Sequence, residues 1–121
     1  MNNTQLYNNC FRHLRMNNKN ILIVGSVNVN SLLLPNTYNK HSSLIQINSS
    51  CEIKYFKKDL IYDLIVFDIN NYNIIDEAII VLKINKIISL KEDSRLRKIC
   101  AYYNKDVIVK SKNEIIDYIN S

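Results

Sequence analysis

Glycine and proline are almost absent from this chain of 121 residues, which contains one of each. Average usage would give roughly eight glycines and six prolines. The scarcity excludes collagen-like repeats, glycine-rich linkers and proline-rich recognition tails. It also excludes a glycine-rich phosphate-binding loop, because such loops need several glycines close together and Gly25 stands alone.

Several other signatures of particular protein classes are missing as well. No apolar run reaches the roughly 18 residues that cross a membrane, and the polar residues 1–5 contain no apolar signal-peptide core. The cysteines form no CxxC pair, so we expect free thiols and a reducing compartment. His13 and His41 lack metal-ligand spacing, and we predict neither a metal site nor a bound cofactor.

Acidic residues are absent from the first 51 positions, and the first of them is Glu52. The formal net charge is +5, from 16 Lys and Arg against 11 Asp and Glu. This imbalance favours a polyanionic partner such as nucleic acid, and a solvated basic surface is the alternative interpretation.

Apolar runs and helical periodicity alternate along the chain. Unbroken apolar runs predict buried strands at 21–24 and 63–68, the second bracketed by Asp63 and Asp68. Shorter apolar stretches predict further strands at 44–47, 86–90 and 106–109. Helical spacing predicts an N-terminal helix within residues 1–19 and further helices at 74–83, 93–103 and 112–119. Residues 27–34 are weakly helical up to Pro35, 36–42 are expected to form a loop, and 52–60 are ambiguous between helix and strand.

This alternation predicts an α/β fold in a single domain over residues 1–121. We expect a mostly parallel sheet covered by helices on both faces, a three-layer Rossmann-like or flavodoxin-like architecture. Ligands of such folds bind beyond the carboxyl ends of the strands. The residues predicted at that edge are Gly25, Ser26, Asp68, Leu90, Lys91 and Lys110.

A dinucleotide or S-adenosylmethionine site is one interpretation of this edge, with Gly25 as the turn after the first strand. Backbone approach to such a ligand normally requires two or three glycines. Gly25 is followed instead by Ser26, Val27 and Asn28. An inactive S-adenosylmethionine methyltransferase-like domain is therefore the third of three functional hypotheses.

A second interpretation comes from residues 62–70, which read YDLIVFDIN and resemble the phospho-acceptor strand of two-component receiver domains. The resemblance implies Asp68 as the acceptor and Lys110 as the family's lysine. Receivers bind Mg²⁺ through an acidic pair after the first strand, where this chain has Gly-Ser at 25–26. Receivers also have a hydroxyl-bearing residue after the fourth strand, and this chain has Lys91 at that position. This alternative is a degenerate receiver-like signalling domain with Asp68 as a vestigial phospho-acceptor.

The third interpretation is ribosomal, and it rests on residues 63–90, which read DLIVFDINNYNIIDEAIIVLKINKIISL. They resemble the family of small-subunit ribosomal protein two (S-two). Its pattern is an apolar strand opening with Asp-Leu and ending in Asp, a Glu-Ala pair, and Leu-x-Ile-Pro-x-Ile running into another strand. The matching residues are Asp63, Leu64, Asp68, Glu77, Ala78, Leu82, Ile84 and Ile87, with Asn85 in place of the proline.

Two flanking segments extend the resemblance. Residues 13–26 are similar to the family's helix followed by a strand, and residues 106–119 resemble its closing stretch and helix. Val107 and Val109 replace two further prolines of that pattern, and Lys110 replaces a glycine. The family's Gly-Gly-Thr-Leu-Thr-Asn-like segment and the helical-hairpin insertion of bacterial members are absent from the sequence.

We rank the ribosomal interpretation first because a ribosomal protein must neutralise phosphates, as the acid-free first 51 residues would. The resemblance implies a structural component of a small ribosomal subunit that binds rRNA and neighbouring ribosomal proteins, without catalysis, membrane contact or small-molecule substrate. The abundance of Asn, Ile, Lys and Tyr is typical of AT-rich genomes, so we expect a mitochondrion or another AT-rich organelle, with the cytoplasm as the alternative.

Phosphate contacts of this kind position a protein on RNA without reading its sequence. The residues predicted to make them are Arg12, Arg15, Lys19, Lys54, Lys57, Lys58, Arg95, Arg97 and Lys98. We predict no catalytic residue, and we expect Asp68 to cap the turn that follows it.

Overall fold

The computed structural model describes residues 19–34 and 43–121. The predicted N-terminal helix up to residue 18, with Arg12 and Arg15, and the predicted loop at 36–42 lie outside the described residues.

A five-stranded parallel sheet forms the centre of the described chain. Its strands are β1 Asn20–Val24, β2 Ser43–Ile47, β3 Ile61–Val66, β4 Lys83–Ser89 and β5 Val107–Val109. They lie in the order β2-β1-β3-β4-β5. This is the flavodoxin-type order, in which the winding direction reverses between β1 and β3. The predicted α/β fold with a parallel sheet is confirmed.

Helical segments connect the strands. The described ranges contain α1 Asn73–Val81, α2 Ser94–Tyr102 and α3 Lys112–Ile119, together with 3-10 helices at Val29–Leu32 and Ser50–Tyr55. The ambiguous stretch at 52–60 is therefore the end of a 3-10 helix followed by irregular chain. Asp93 caps α2 by accepting from the backbone N–H groups of Arg95 and Leu96.

Both faces of the sheet are covered, as the sequence predicts. On one face, Leu22 and Leu64 pack with Ile75 of α1 and Leu96 of α2. On the opposite face, Ile21, Ile23 and Ile65 pack with Ile115 and Ile119 of α3. Because alternate residues of a strand point to opposite faces, a strand buried on both sides must be apolar at every position. This explains the unbroken apolar runs.

The junction between α1 and β4 is unusually short, since Leu82 alone separates them. β4 begins three residues earlier than predicted because Lys83 and Ile84 already pair with Ile61 and Tyr62. The next pair joins Asp63 to Lys86, so Asn85 is an extra residue with no partner in β3. This is a β-bulge, in which one strand contributes one residue more than its neighbour.

Two free cysteines lie in the described ranges, Cys51 exposed and Cys100 buried. Burial raises the pKa of the Cys100 thiol to about 11, which keeps it protonated and unreactive near neutral pH. Cys10 lies outside the described residues. Within those residues, no helix combines the length and apolar character that a membrane crossing requires.

Candidate functional site

The carboxyl edge of the sheet is the edge where the strands end, at Val24, Ile47, Val66, Ser89 and Val109. Gly25 follows β1 there with φ of +125°, a conformation that L side chains rarely adopt. A Cβ atom at this position would lie 2.6 Å from the backbone nitrogen of Asp68. The close approach of the chain that follows β3 therefore requires a glycine at this position.

Asp68 is exposed, and its carboxylate closes the loop after β1. Both of its carboxylate oxygens lie 3.3 Å from the backbone nitrogen of Ser26, which donates to them. Gln46 of β2 secures the same loop, because its Nε2 donates to the carbonyl oxygens of Gly25 at 2.6 Å and Val27 at 3.2 Å. The loop at the switch point is thus held by side chains of both neighbouring strands.

The expectation that Asp68 caps the turn following it is wrong in detail. That turn is capped by Asn71, whose side-chain oxygen accepts from the backbone N–H of Asn73 at 2.9 Å. Asp68 instead bonds Ser26, 42 residues earlier in the sequence. Sequence reasoning missed this partner because only the parallel pairing of β1 with β3 brings the two positions together.

Two small cavities flank Asp68. One, of about 120 Å³, lies between the ends of β1 and β3 and is lined by polar residues that include Ser26, Asn48 and Asn70. The other, of about 180 Å³, lies toward β4 and is lined by Ser89, Lys91 and Glu92 among others. Cofactor and drug-sized ligands occupy pockets of roughly 300–1,000 Å³. Both cavities are therefore too small to enclose a dinucleotide or S-adenosylmethionine.

The residues of the receiver interpretation do lie at this edge. β4 ends at Ser89, so the hydroxyl at the strand end belongs to Ser89 and not to the position of Lys91. The Ser89 hydroxyl donates to the carbonyl oxygen of Lys91 at 2.6 Å, and the Lys110 backbone N–H donates to the carbonyl oxygen of Ser89 at 3.0 Å. No group of three or more His, Cys, Asp or Glu side chains suited to a metal ion occurs within residues 19–34 and 43–121.

Four of the predicted phosphate-contacting lysines, Lys19, Lys54, Lys57 and Lys58, lie toward the opposite, amino edge of the sheet, where the strands begin. Lys19 immediately precedes β1, and its ammonium group donates to the Ser121 hydroxyl at 2.9 Å and to the Ser121 carbonyl oxygen at 3.0 Å. The Lys57 carbonyl oxygen accepts from the Tyr62 hydroxyl near the start of β3. Lys58 donates to the carbonyl oxygen of Lys54. The structure thus places Lys54, Lys57 and Lys58 together beside the first residues of β3.

The two described arginines of the predicted set, Arg95 and Arg97, lie in a different place, on the first turns of α2. The Arg97 guanidinium forms an ion pair with Glu92 through Nε and Nη2, and its Nη1 donates to the carbonyl oxygen of Val107 at 3.1 Å. The hydrogen bond from Arg97 lowers the pKa of Glu92. Arg97 is therefore compensated within the fold.

Arg95 and Lys98 lie on the same helix and are exposed. The Arg95 guanidinium carbon lies 4.4 Å from the centre of the Tyr72 ring. The Tyr72 hydroxyl donates to Asp93, and this hydrogen bond is the largest cause of a lowered pKa for Asp93. The structure does not bring this basic group together with the lysines around β3.

A cluster at the amino edge was not singled out from the sequence. Asp63 is buried at 8% exposure and accepts a hydrogen bond from the Tyr118 hydroxyl. The Tyr118 ring also faces the ammonium groups of Lys19 and Lys86, at 5.0 and 5.1 Å from its centre. Burial, followed by the contact with Asp63, raises the pKa of Tyr118. An acid inside an apolar strand was the available signal, because such a residue needs a buried partner.

Through Tyr118, this cluster links α3 to Asp63 of β3, to Lys86 of β4 and to Lys19, which precedes β1. Within the described ranges, every buried side-chain nitrogen and oxygen has a hydrogen-bond partner. Since a buried carboxylate without a partner is costly, Tyr118 and Asp63 are best explained as a structural pair.

No protein-family model matches the chain, and neither a curated protein nor a solved structure matches it significantly. Function is therefore inferred from the residues and their arrangement.

Proposed function

We propose that the chain is a non-catalytic structural protein of a small ribosomal subunit, of the S-two type, that binds rRNA and neighbouring ribosomal proteins. The observation that carries this proposal is the bulge in β4. The S-two pattern Leu-x-Ile-Pro-x-Ile places its proline at Asn85, and Asn85 is the residue without a partner in β3. Proline within sheets is confined to edge strands, strand starts and bulges. This chain has Asn85 where the family has proline, and the bulge at Asn85 is a place where a strand accepts proline.

The rest of the α1–β4 junction supports the same resemblance. The apolar positions of the pattern are all buried: Ala78 in α1, Leu82 at the junction, and Ile84 and Ile87 in β4. Only Leu82 separates the helix from the strand, which agrees with the direct passage from helix to strand in the family's pattern.

The carboxyl edge supports a scaffold rather than a nucleotide-dependent enzyme. The Asp68 carboxylate is engaged with the backbone of its own β1 loop, and Gly25 accommodates the backbone of Asp68. The two cavities beside Asp68, of about 120 and 180 Å³, leave little room for a cofactor.

Charge supports RNA as the main partner. The net charge of +5 includes Arg12, Arg15 and Lys40, which lie outside the described residues, whereas every acidic residue lies within them. Exposed apolar side chains on the edge strand β5, Ile108 and Val109 at just over 40% exposure, would contact neighbouring ribosomal proteins. The proposal includes an AT-rich organelle such as a mitochondrion as the site of the ribosome.

Co-sedimentation tests the proposal. A tagged chain expressed in its own cells is followed through sucrose gradients at a magnesium concentration that keeps ribosomes intact, and again after magnesium depletion separates the subunits. We expect the chain to migrate with intact ribosomes and then with the small subunit alone. Migration at the top of both gradients, or with the large subunit, would contradict the proposal. A tagged basic protein of similar size controls for adventitious binding to ribosomes.

The receiver-like alternative has one specific observation in its favour. Asp68 lies just beyond the end of β3 and Lys110 just beyond the end of β5, both at the carboxyl edge. If this alternative holds, a small acyl phosphate and Mg²⁺ should label the chain, and Asp68→Asn should abolish the label. The scaffold proposal predicts no Asp68-dependent labelling under conditions that label an authentic receiver.

A further inference from the structure

The two edges of the sheet differ in their charge. At the amino edge, lysines outnumber exposed acids: Lys57, Lys58, Lys83, Lys86 and Lys105 lie there with Asp59, Asp106 and Asp117. The fourth acid, Asp63, is buried and bonded to Tyr118. At the carboxyl edge, Lys91, Arg95, Arg97, Lys110 and Lys112 are offset by Asp68, Glu92, Asp93 and Glu114, and Arg97 is paired with Glu92. Among exposed side chains, the amino edge therefore has the larger excess of positive charge, by two charges against one.

Backbone contacts hold the central lysines of this edge close to one another. The Tyr62 hydroxyl donates to the Lys57 carbonyl oxygen at 2.7 Å, which ties Lys57 to the start of β3. Lys83 pairs directly with Ile61 in the neighbouring strand. Lys57, Lys58 and Lys83 therefore lie around one point of the surface, where β3 and β4 begin.

Few of these charges are neutralised within the fold. The Lys105 ammonium donates to the backbone carbonyl oxygen of Ile84 at 2.8 Å, and the Lys86 ammonium faces the Tyr118 ring. Neither contact supplies a negative charge. The ion pair recorded between described residues joins Arg97 to Glu92, on α2. The amino edge thus keeps its charge available, whereas Arg97 has a carboxylate partner.

Exposed aromatic rings accompany the lysines. Tyr55 ends the 3-10 helix that leads toward β3, is 78% exposed and has the Lys54 ammonium 5.1 Å from its ring centre. Tyr102 ends α2, which runs back to the amino edge, and is 80% exposed. Exposed rings beside positive charge are the means by which proteins stack on unpaired RNA bases while holding the backbone.

We infer that the amino edge, around Lys57, Lys58 and Lys83, is the surface that binds the RNA phosphate backbone, and that the α2 arginines are not. This inference rests on the proposed function and locates its contact surface. It restricts the predicted phosphate-contacting residues to those on one side of the molecule. It also identifies Lys83, which the sequence did not single out.

Three variants with equal numbers of substitutions test the inference. The first carries Lys57→Gln, Lys58→Gln and Lys83→Gln. The second carries Lys91→Gln, Lys110→Gln and Lys112→Gln at the carboxyl edge, with the same change of charge. The third carries Arg95→Gln, Arg97→Gln and Lys98→Gln on α2. Affinity for a fluorescein-labelled RNA stem-loop with an unpaired loop is measured by anisotropy over a range of salt concentrations. Circular dichroism confirms that each variant is folded.

A plot of the logarithm of the binding constant against the logarithm of the salt concentration has a negative slope, and loss of three phosphate contacts should make it less steep by about 2. Near 0.1 M salt the affinity should fall by about a hundredfold. We expect this loss in the first variant and less than a threefold change in the other two. Salt-sensitive binding by the wild type with the largest loss in the second or third variant would overturn the inference and leave the proposed function standing.

Equal losses in all three variants would also overturn the inference, because they would indicate binding by net charge alone. Absence of RNA binding by the wild type would overturn both the inference and the proposed function. Vesicles containing anionic phospholipid serve as a further arm. Binding to these vesicles without binding to RNA would identify a membrane surface as the partner and would likewise overturn both.

Discussion

Replacing Asn85 by proline should leave the fold intact. Asn85 is exposed and has no partner in β3, and pairing of β4 with β5 begins only at Ile87. The extra residue of a bulge lies outside the regular ladder, so proline at this position should disturb the pairing of β3 with β4 less than proline at a paired position. Ile84 precedes it in an extended strand, which is the conformation that a residue before proline prefers.

The expected change in the free energy of unfolding follows from these contacts. For Asn85→Pro we expect a change within about 1 kcal/mol of zero. Where the backbone angle suits proline, the substitution can stabilise the fold by up to about 1 kcal/mol, because proline reduces the conformational freedom of the unfolded chain. Ile87 is the matched position, because it pairs with Leu64 and Val107 on its two sides. Proline there removes a sheet hydrogen bond and leaves a buried acceptor unpaired, which costs about 1–3 kcal/mol.

Urea denaturation followed by circular dichroism measures these differences. Ile87→Ala gives the cost of removing the side chain, and the excess cost of Ile87→Pro over Ile87→Ala gives the backbone contribution. Asn85→Ala provides the same correction at the bulge. A backbone cost at Asn85 equal to that at Ile87 would refute the assignment of the bulge and remove the main support for the S-two resemblance.

Three further predictions concern the loop and helix contacts. Gly25→Ala should destabilise the fold by at least about 2 kcal/mol in urea, because the left-handed backbone and the contact with Asp68 both oppose a Cβ atom; an unchanged midpoint would contradict this geometry. Tyr118→Phe should lower the free energy of unfolding by about 1–3 kcal/mol, because it leaves the Asp63 carboxylate without its donor. A double-mutant cycle with Asp63→Ala should show strong coupling between the two positions. Additive effects of the two substitutions would disprove the pair. The folded-state pKa of Asp93 is lowered, so its contribution is present above the unfolded value of about 3.9 and is lost as the pH falls through the folded value. Between pH 5 and pH 3 the Asp93→Asn variant should therefore lose less stability than the wild type, and equal losses would argue against this role.

The order of strands and helices could be predicted from the sequence because each element has a local signature. Runs such as 21–24 and 64–67 are apolar at every position, which only a strand buried on both faces requires. Helical spacing located α3, and the Ser111–Glu114 capping box begins it at the expected residue.

Contacts between residues far apart in the sequence were decided by the tertiary structure alone. Asp68 bonds Ser26, and Tyr118 bonds Asp63 across 55 positions, because parallel pairing and helix packing bring them together. No periodicity within either segment encodes such a partner. The bulge at Asn85 likewise arises from the register of β3 against β4, which involves both strands at once.

The sequence by itself determined the fold class, the excess of positive charge and the scarcity of glycine and proline that excludes a phosphate-binding loop. The tertiary structure decided where that charge lies. Lys57, Lys58 and Lys83 lie on the same side of the molecule because β3 and β4 begin side by side. Arg97 is compensated because α2 starts beside Glu92. The physical reason is that charge is counted along the chain, whereas electrostatic potential depends on distances that only the folded chain establishes.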